Sequence, residues 1–125
     1  MKLFMICESR EKAGCVVVNH GNVLIIKKDG NWQLPKGRIK NKEPIGKTAI
    51  RETIEETGII PSLVQTKPFY TTNVVFFLAV GSGKPSSSKQ ENISDCRWVI
   101  FENAVRIIVP KHAQVLEHFS DYMQK

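Results

Sequence analysis

The sequence predicts an α/β domain in which helices cover both faces of a β-sheet. Its 125 residues, 42% hydrophobic and 24% charged, are typical of one globular domain spanning residues 1–125. Two apolar, β-branched runs at residues 13–18 and 23–26 lack strict alternation, which indicates strands that are buried on both faces. A helix-length segment separates these runs from later strand-like segments. Helices on each side of the sheet therefore account for the pattern.

The first half of the chain predicts a hairpin, a loop and a helix. Asn-His-Gly-Asn at residues 19–22 supplies a tight turn between the two runs, so they form a hairpin. Pro35 and Gly37 in Trp-Gln-Leu-Pro-Lys-Gly predict an irregular loop that continues to residue 42. The helix is expected to begin near Pro44 and to end at Gly58, a typical left-handed cap.

The second half predicts three more strands and a closing helix. Residues 62–70 and 73–80 read as strands, and the Gly- and Ser-rich residues 81–88 as a flexible connection. A last strand is expected at residues 94–101, followed by one short helical turn at 102–107. Residues 111–124 predict an amphipathic closing helix.

Charge and cysteine content set expectations for partners and compartment. Residues 10–42 carry eight basic and two acidic residues, which is the whole net charge of +6, so an anionic partner is expected. Three cysteines without a C-x-x-C pair, and three scattered histidines, argue against zinc and predict free thiols in the cytosol or nucleus. No apolar run is long enough to span a membrane, and nothing directs the chain to the secretory route.

The predicted helix carries an unfavourable group of charges. Glu52, Glu55 and Glu56 share one face at i, i+3 and i+4, and acids near a helix C-terminus also oppose the helix dipole. Local stability therefore does not favour this arrangement. A hard divalent cation such as Mg²⁺ or Mn²⁺ would explain it, because such ions prefer carboxylate and phosphate oxygens. Arg51, four residues before Glu55, is placed to orient one of the acids.

The helix is also part of a longer motif. Gly37, Glu43 and the segment Arg-Glu-Thr-Ile-Glu-Glu-Thr-Gly-Ile at residues 51–59 reproduce the pattern G-x5-E-x7-R-E-U-x-E-E-x-G-U, in which U is a bulky aliphatic residue. Thr53 is the one departure. The pattern resembles the signature of the Nudix hydrolases. That resemblance implies an α/β/α sandwich around a mixed β-sheet, and hydrolysis of a phosphoanhydride.

The resemblance also implies a role for each acid. Glu52 and Glu56 would be metal ligands, Glu55 would deprotonate or orient the attacking water, and Arg51 would orient the acids. Glu43 would be an auxiliary ligand or a structural partner. In many members of the family a later loop supplies one more carboxylate, for which Glu91 is the candidate and Asp95 its competitor.

The expected substrate is a small, highly anionic phosphorylated molecule. Residues 32–37 are similar to the W-x-x-P-x-G segment of diadenosine polyphosphate hydrolases and diphosphoinositol polyphosphate phosphohydrolases, and residues 111–114 resemble the K-P-V-Q segment of the latter. Gly37 and seven basic residues are expected at the substrate pocket: Arg10, Lys12, Lys27, Lys28, Lys36, Arg38 and Lys111.

Other functions remain open at this point. The enzyme alternatives are a nucleoside triphosphate hydrolase and an RNA 5′-end pyrophosphohydrolase. The chain lacks the interleaving of aromatic and basic residues that stacks single-stranded bases, so a nucleic-acid partner is not expected. The alternative of another class is a catalytically silent Nudix module that binds a phosphorylated ligand. The pattern sets no oligomeric state.

Overall fold

The computed structural model describes residues 11–123, and these form one mixed eight-stranded sheet with helices on both faces. The strands are β1 (Lys12–Asn19), β2 (Asn22–Lys28), β3 (Asn31–Gln33), β4 (Lys36–Arg38), β5 (Ser62–Leu63), β6 (Phe69–Tyr70), β7 (Val74–Val80) and β8 (Ile93–Ile100). The helices are α1 (Ile45–Thr57), α2 (Phe101–Ile107), α3 (Pro110–His118) and α4 (Ser120–Met123), and Lys89–Glu91 form a short 3₁₀ turn.

The first hairpin opens into two halves of the sheet. β1 and β2 pair only beside their turn, at Val18 with Val23 and Asn19 with Asn22. Farther along, β1 runs parallel to β7, and β2 runs antiparallel to β8. On its other edge, β1 pairs with β4. On its other edge, β2 pairs with β3. Residues 31–38 therefore lie between the two halves of the sheet, where β1 and β2 no longer pair with each other.

Alternate residues of β1 enter two separate cores. Cys15 and Val17 pack with Ala49 of α1 on one face. Val16 packs on the other face, where Leu116 of α3 and Phe119 lie. The two covered faces confirm the expected α/β/α sandwich. Among residues 11–123, no helix has the length and apolarity needed to cross a bilayer.

The helix α1 has the bounds that the sequence predicted. Pro44 is extended (φ −61°, ψ 141°), and Gly58 ends the helix in the left-handed region (φ 76°), where its N–H donates to the carbonyl of Ile54 at 2.8 Å. Thr53, the departure from the aliphatic pattern, is fully buried. Its hydroxyl donates to the carbonyl of Ala49 at 2.8 Å, so the buried polar group is satisfied within the helix.

The expectation of an irregular loop at residues 32–42 was wrong in part. The strands β3 and β4 flank Leu34 and Pro35, and Gly37 pairs with Ala13. The absence of an N–H on proline is harmless here, because Pro35 lies between the two strands. It contributes its carbonyl instead, which accepts from the N–H of Cys15 at 3.3 Å.

Two other elements are divided. Residues 62–70 were expected as one strand, but β5 and β6 pair with opposite ends of β7, at Val80 and Phe76, and the chain turns between them. The expected helix at 111–124 divides into α3 and α4 at Phe119 (φ −96°, ψ 15°), and residue 124 lies outside the described residues. The short turn expected at 102–107 is a seven-residue helix, α2.

Candidate active site

Three carboxylates converge where α1 faces the turn before β8. Oxygen atoms of Glu52, Glu56 and Glu91 all lie within 4.8 Å of one another. Glu52 and Glu56 are one helical turn apart on α1, and Glu91 comes from the 3₁₀ turn. Oxygens that share one Mg²⁺ at about 2.1 Å lie about 3 to 4 Å apart, so a small closure would complete such a site.

Burial makes this group of acids costly without a cation. Glu52 is 8% exposed and Glu56 is 1% exposed. Burial raises the pKa of Glu56 to about 7 and also raises the pKa of Glu52, because the carboxylate form loses its hydration. The N–H of Lys36 donates to Glu56 at 3.0 Å, and the ammonium of Lys28 lies 3.8 Å from the other oxygen of Glu56. Hard oxygen donors held in this way fit a divalent cation such as Mg²⁺ or Mn²⁺.

Arg51 orients three acids at once. Its guanidinium donates to both oxygens of Glu43 at 2.8 and 2.9 Å, to Glu52 at 2.9 Å and to Glu55 at 3.2 Å. It also donates to the carbonyl of Arg38 at 2.9 Å, which ties the helix to β4. This fork geometry fixes the rotamers of the acids in a way that a lysine would not reproduce.

Glu43 and Glu55 stand apart from the three converging acids. Glu43 accepts from Arg51, from the hydroxyl of Thr48 at 2.7 Å and from the N–H of Lys40 at 3.1 Å. The hydrogen bonds from Arg51 and Thr48 hold the pKa of Glu43 far below its usual range. The structure therefore places Glu43 as a partner of Arg51. The Glu55 side chain is 39% exposed and accessible to water.

Gly37 gives the acidic helix room to approach the sheet. A Cβ atom on this residue would overlap the carboxylate of Glu52. Gly37 belongs to β4, whose backbone also bonds Glu56 through Lys36. The backbone of β4 thus passes directly over both buried acids, and only glycine permits that distance.

A cleft of about 720 Å³ borders β4. It is bounded by β1, β4, the segment from β6 into β7, and the first turn of α3. The basic residues that line it are Lys12, Lys36, Arg38 and Lys111. Lys36 connects the two sites, because its N–H bonds Glu56 while the residue lines the cleft. Burial, followed by repulsion from Lys12, lowers the pKa of Lys36.

The sequence match agrees with this geometry. Residues 8–119 match the family described as NUDIX domain. The chain belongs to the Nudix domain family. The region from Gly37 to Ile59 that carries the acids lies within this match.

Named relatives place the chain among longer Nudix proteins. Nudix hydrolase 10 of Arabidopsis thaliana is 32% identical over 107 residues, which cover 76% of this chain and 39% of that protein. Nudix hydrolase 2 of the same plant is 24% identical over 125 residues, which cover 86% and 45%. This chain therefore spans less than half the length of these curated relatives.

Solved Nudix structures share the fold. The binary complex of a C. elegans Ap4A hydrolase superposes with a TM-score of 0.76 at 23% identity, covering 91% of this chain and 98% of that one. A MutT Nudix hydrolase from Burkholderia pseudomallei gives a TM-score of 0.66 at 23% identity, covering 86% and 95%. At these identities the likeness shows the fold alone.

Not all of the basic residues expected at the Nudix substrate pocket line the cleft. Lys28 instead lies beside Glu56, and the ammonium of Lys27 lies 5.7 Å from the centre of the Trp32 ring. Arg10 lies outside the described residues. Asp95, the competitor of Glu91, accepts from Arg97 and from the N–H of Cys96, and it is not among the three converging acids.

The sequence did not predict two kinds of residue that line the cleft. Phe69 and Tyr70 supply an aromatic part of the lining, and Tyr70 is 56% exposed. His112 is buried and lines the cleft beside Lys111. Burial, with repulsion from Lys36 and Lys111, lowers its pKa to about 4. The only sequence signal for His112 was that it follows Lys111 in the segment 111–114, because a single histidine has no periodicity.

Proposed function

We propose that this Nudix domain is a Mg²⁺- or Mn²⁺-dependent pyrophosphohydrolase that cleaves a phosphoanhydride bond in a small, highly anionic substrate. The observation that carries this proposal is the convergence of Glu52, Glu56 and Glu91, joined through Lys36 to a cleft lined by cations. The acids suit a divalent cation and the cleft suits polyphosphate. A silent binding module would not require this group of buried acids.

Each residue has a distinct task in the proposed reaction. Glu52, Glu56 and Glu91 would hold the cation, which when bound lowers the pKa of water and offsets phosphate charge. Glu55 is the exposed acid on the same helix, and it accepts the proton of the attacking water. Arg51 keeps Glu52 and Glu55 in their rotamers.

The cleft narrows the class of substrate. Diphosphoinositol polyphosphates and diadenosine polyphosphates both suit its cations, Lys12, Lys36, Arg38 and Lys111. Bases flanking a linear phosphate chain also need an aromatic or apolar surface, which Phe69 and Tyr70 offer. This lining, together with the name of the Ap4A hydrolase neighbour, favours a dinucleoside polyphosphate.

A substrate panel tests the proposal. Phosphate release is measured with Mg²⁺, with Mn²⁺ and with chelator on diadenosine tetra- to hexaphosphates, diphosphoinositol pentakisphosphate, nucleoside triphosphates and capped RNA. The highest kcat/KM is expected on the diadenosine compounds, and chelator should abolish it. Tight binding without turnover on every substrate would instead identify a silent module.

Two variants separate the contribution of charge from that of the aromatic surface. Lys111→Ala should lower kcat/KM on both polyphosphate classes by about 1–2 kcal/mol of transition-state stabilisation, with strong salt dependence. Tyr70→Ala should impair only the substrates with bases. Lys84→Ala, at an exposed residue outside the cleft, is the control. Equal losses for Tyr70→Ala on both classes would contradict the preference for dinucleosides.

We also propose a reducing compartment, the cytosol or the nucleus. Cys15 and Cys96 are buried free thiols, and burial raises the pKa of each to about 12. Such thiols are packing residues. Microscopy of the tagged protein tests the compartment, and a signal in the secretory route would overturn it.

A further inference from the structure

His112 occupies an unusual place in the basic cleft. It lies in the first turn of α3 and is 7% exposed, and its ring packs edge-on against Phe76 with centroids 5.1 Å apart. It lines the cleft with Lys36 and Lys111. A histidine in this position is buried among cations and still borders the space that a substrate would fill.

One hydrogen bond fixes the tautomer of this ring. The backbone N–H of Leu34 donates to Nδ1 of His112 at 3.0 Å. A backbone N–H can only donate, so Nδ1 carries no proton, and the neutral ring carries its proton on Nε2. Burial and the repulsion from Lys36 and Lys111 favour the neutral ring, and its pKa is about 4.

The proton on Nε2 has no acceptor in the part of the chain that the structure describes. The hydrogen bond with Leu34 is the one that His112 makes through its ring within residues 11–123. A buried N–H without an acceptor costs free energy, so native structures rarely leave one unmatched. Because His112 lines the cleft, a bound ligand or water is the available acceptor.

We propose that His112 is a substrate-binding residue whose neutral ring donates its Nε2–H to an anionic oxygen of the bound polyphosphate. The identity of this ligand rests on the proposed function. Lys12, Lys36 and Lys111 already supply positive charge, and one more cation among them would be repelled. A neutral N–H adds a directed hydrogen bond without that repulsion.

Two substitutions separate the two nitrogens of the ring. The side-chain oxygen of His112→Asn can reach the place of Nδ1 and accept from Leu34, but nothing then occupies the place of Nε2. His112→Gln places an amide donor near Nε2 and gives up the bond to Leu34. His20→Asn, in the exposed turn before β2, is the control (φ 50°, which asparagine tolerates).

Binding of inorganic tripolyphosphate is measured by calorimetry, so that the test does not require turnover. His112→Asn should weaken the Kd about tenfold with little change in melting temperature, the loss expected for a hydrogen bond to a charged group. His112→Gln should lower the melting temperature and keep the Kd within about threefold. An unchanged Kd in His112→Asn, or a Kd that follows the melting temperature in both variants, would show a merely structural role.

Nitrogen-15 NMR of histidine observes the same atoms directly. The metal-free protein at pH 7 should show His112 as the neutral Nε2–H form, and tripolyphosphate should shift its Nε2 and Hε2 signals. The His20 signals should remain unchanged. The opposite tautomer, or no response of His112 at saturating tripolyphosphate, would overturn the inference.

These results also distinguish the inference from the proposed function. Hydrolysis with an unresponsive His112 would remove the inference alone. A response of His112 in a protein that hydrolyses no substrate in the panel would remove the proposed activity, and the binding role of the histidine would stand.

Discussion

The acidic group on α1 and the basic cleft beside α3 meet at β4, yet they are built in different ways. The acids come from one helix and one short turn, whereas the cleft collects residues from β1, β4, β6 and α3. Each contains one buried group whose neutral form is favoured: the pKa of Glu56 rises to about 7 and that of His112 falls to about 4, mainly through burial in both cases. In each site, the neutral form of this buried group reduces the net charge of the site before a ligand of opposite charge binds.

The largest expected effect is the loss of the acidic site. Glu56→Gln and Glu55→Gln should each reduce turnover by at least about a hundredfold, because a metal ligand and a base are lost. Steady-state phosphate release measures this. Glu117→Gln, at an exposed residue of α3, should remain within a few-fold of the wild type. Activity near the wild-type value in either Glu55→Gln or Glu56→Gln would refute the role assigned to that residue.

Gly37→Ala tests how tightly α1 packs against β4, the strand at which the two sites meet. The new Cβ would overlap the carboxylate of Glu52, so α1 or β4 must move. Chemical denaturation should show a loss of about 1–3 kcal/mol, the usual cost of forcing atoms into a packed site. In the control, Gly46→Ala in the first turn of α1, the new Cβ would meet Cδ1 of Leu63 in β5 at 3.4 Å, an ordinary van der Waals contact, and a gain of about 0.4–1 kcal/mol is expected. Equal stability of both variants would show that the contact at Gly37 is not tight.

The smallest effect is a pair of opposite pH dependences. The pKa of Glu56 is raised from 4.5 to about 7, so its contribution to the free energy of unfolding is complete below pH 4.5 and lost as the pH rises through 7. The pKa of His112 is lowered from 6.5 to about 4, so its contribution is complete above pH 6.5 and lost as the pH falls through 4. In the wild type the two contributions oppose each other between pH 4.5 and 6.5.

Single variants reveal each slope. Relative to the wild type, urea unfolding in chelator should show a more positive dependence of stability on pH across that window in Glu56→Gln, and a more negative dependence in His112→Asn. The slope from one group is at most about 1.4 kcal/mol per pH unit. Slopes that change in the same direction in both variants would contradict the opposite shifts.

The two sites differ in how much of each the sequence could predict. Glu52 and Glu56 are four residues apart on one helix, so their spacing alone predicted that they lie together, whereas Glu55, expected on the same face, stands apart from them and is exposed. The hairpin and the bounds of α1 followed from turn and cap residues that act locally, such as Gly58. Glu91 is brought to α1 by the connection between β7 and β8, which has no local sequence pattern. The sequence therefore left both Glu91 and Asp95 as candidates for the additional carboxylate.

For the cleft, the sequence predicted only that its charge would be positive. Lys12, Lys36, Arg38 and Lys111 were expected near the substrate because of an excess of positive charge and short resemblances. Lys27 and Lys28 shared that charge, but the pairing of β2 places them beside Trp32 and Glu56 instead. The role of His112 depends on Leu34, 78 residues earlier in the chain, and no local pattern reports such a contact.

The central claim is that Glu52, Glu56 and Glu91 together hold a divalent cation. A crystal structure with Mn²⁺, located by anomalous scattering, tests it most directly. The expected result is a peak at about 2.0–2.3 Å from an oxygen of each of the three acids, which weakens in Glu91→Gln and persists in Asp95→Asn. A peak coordinated by Glu43 and Glu55 instead, or no peak on α1 at saturating Mn²⁺, would contradict the account.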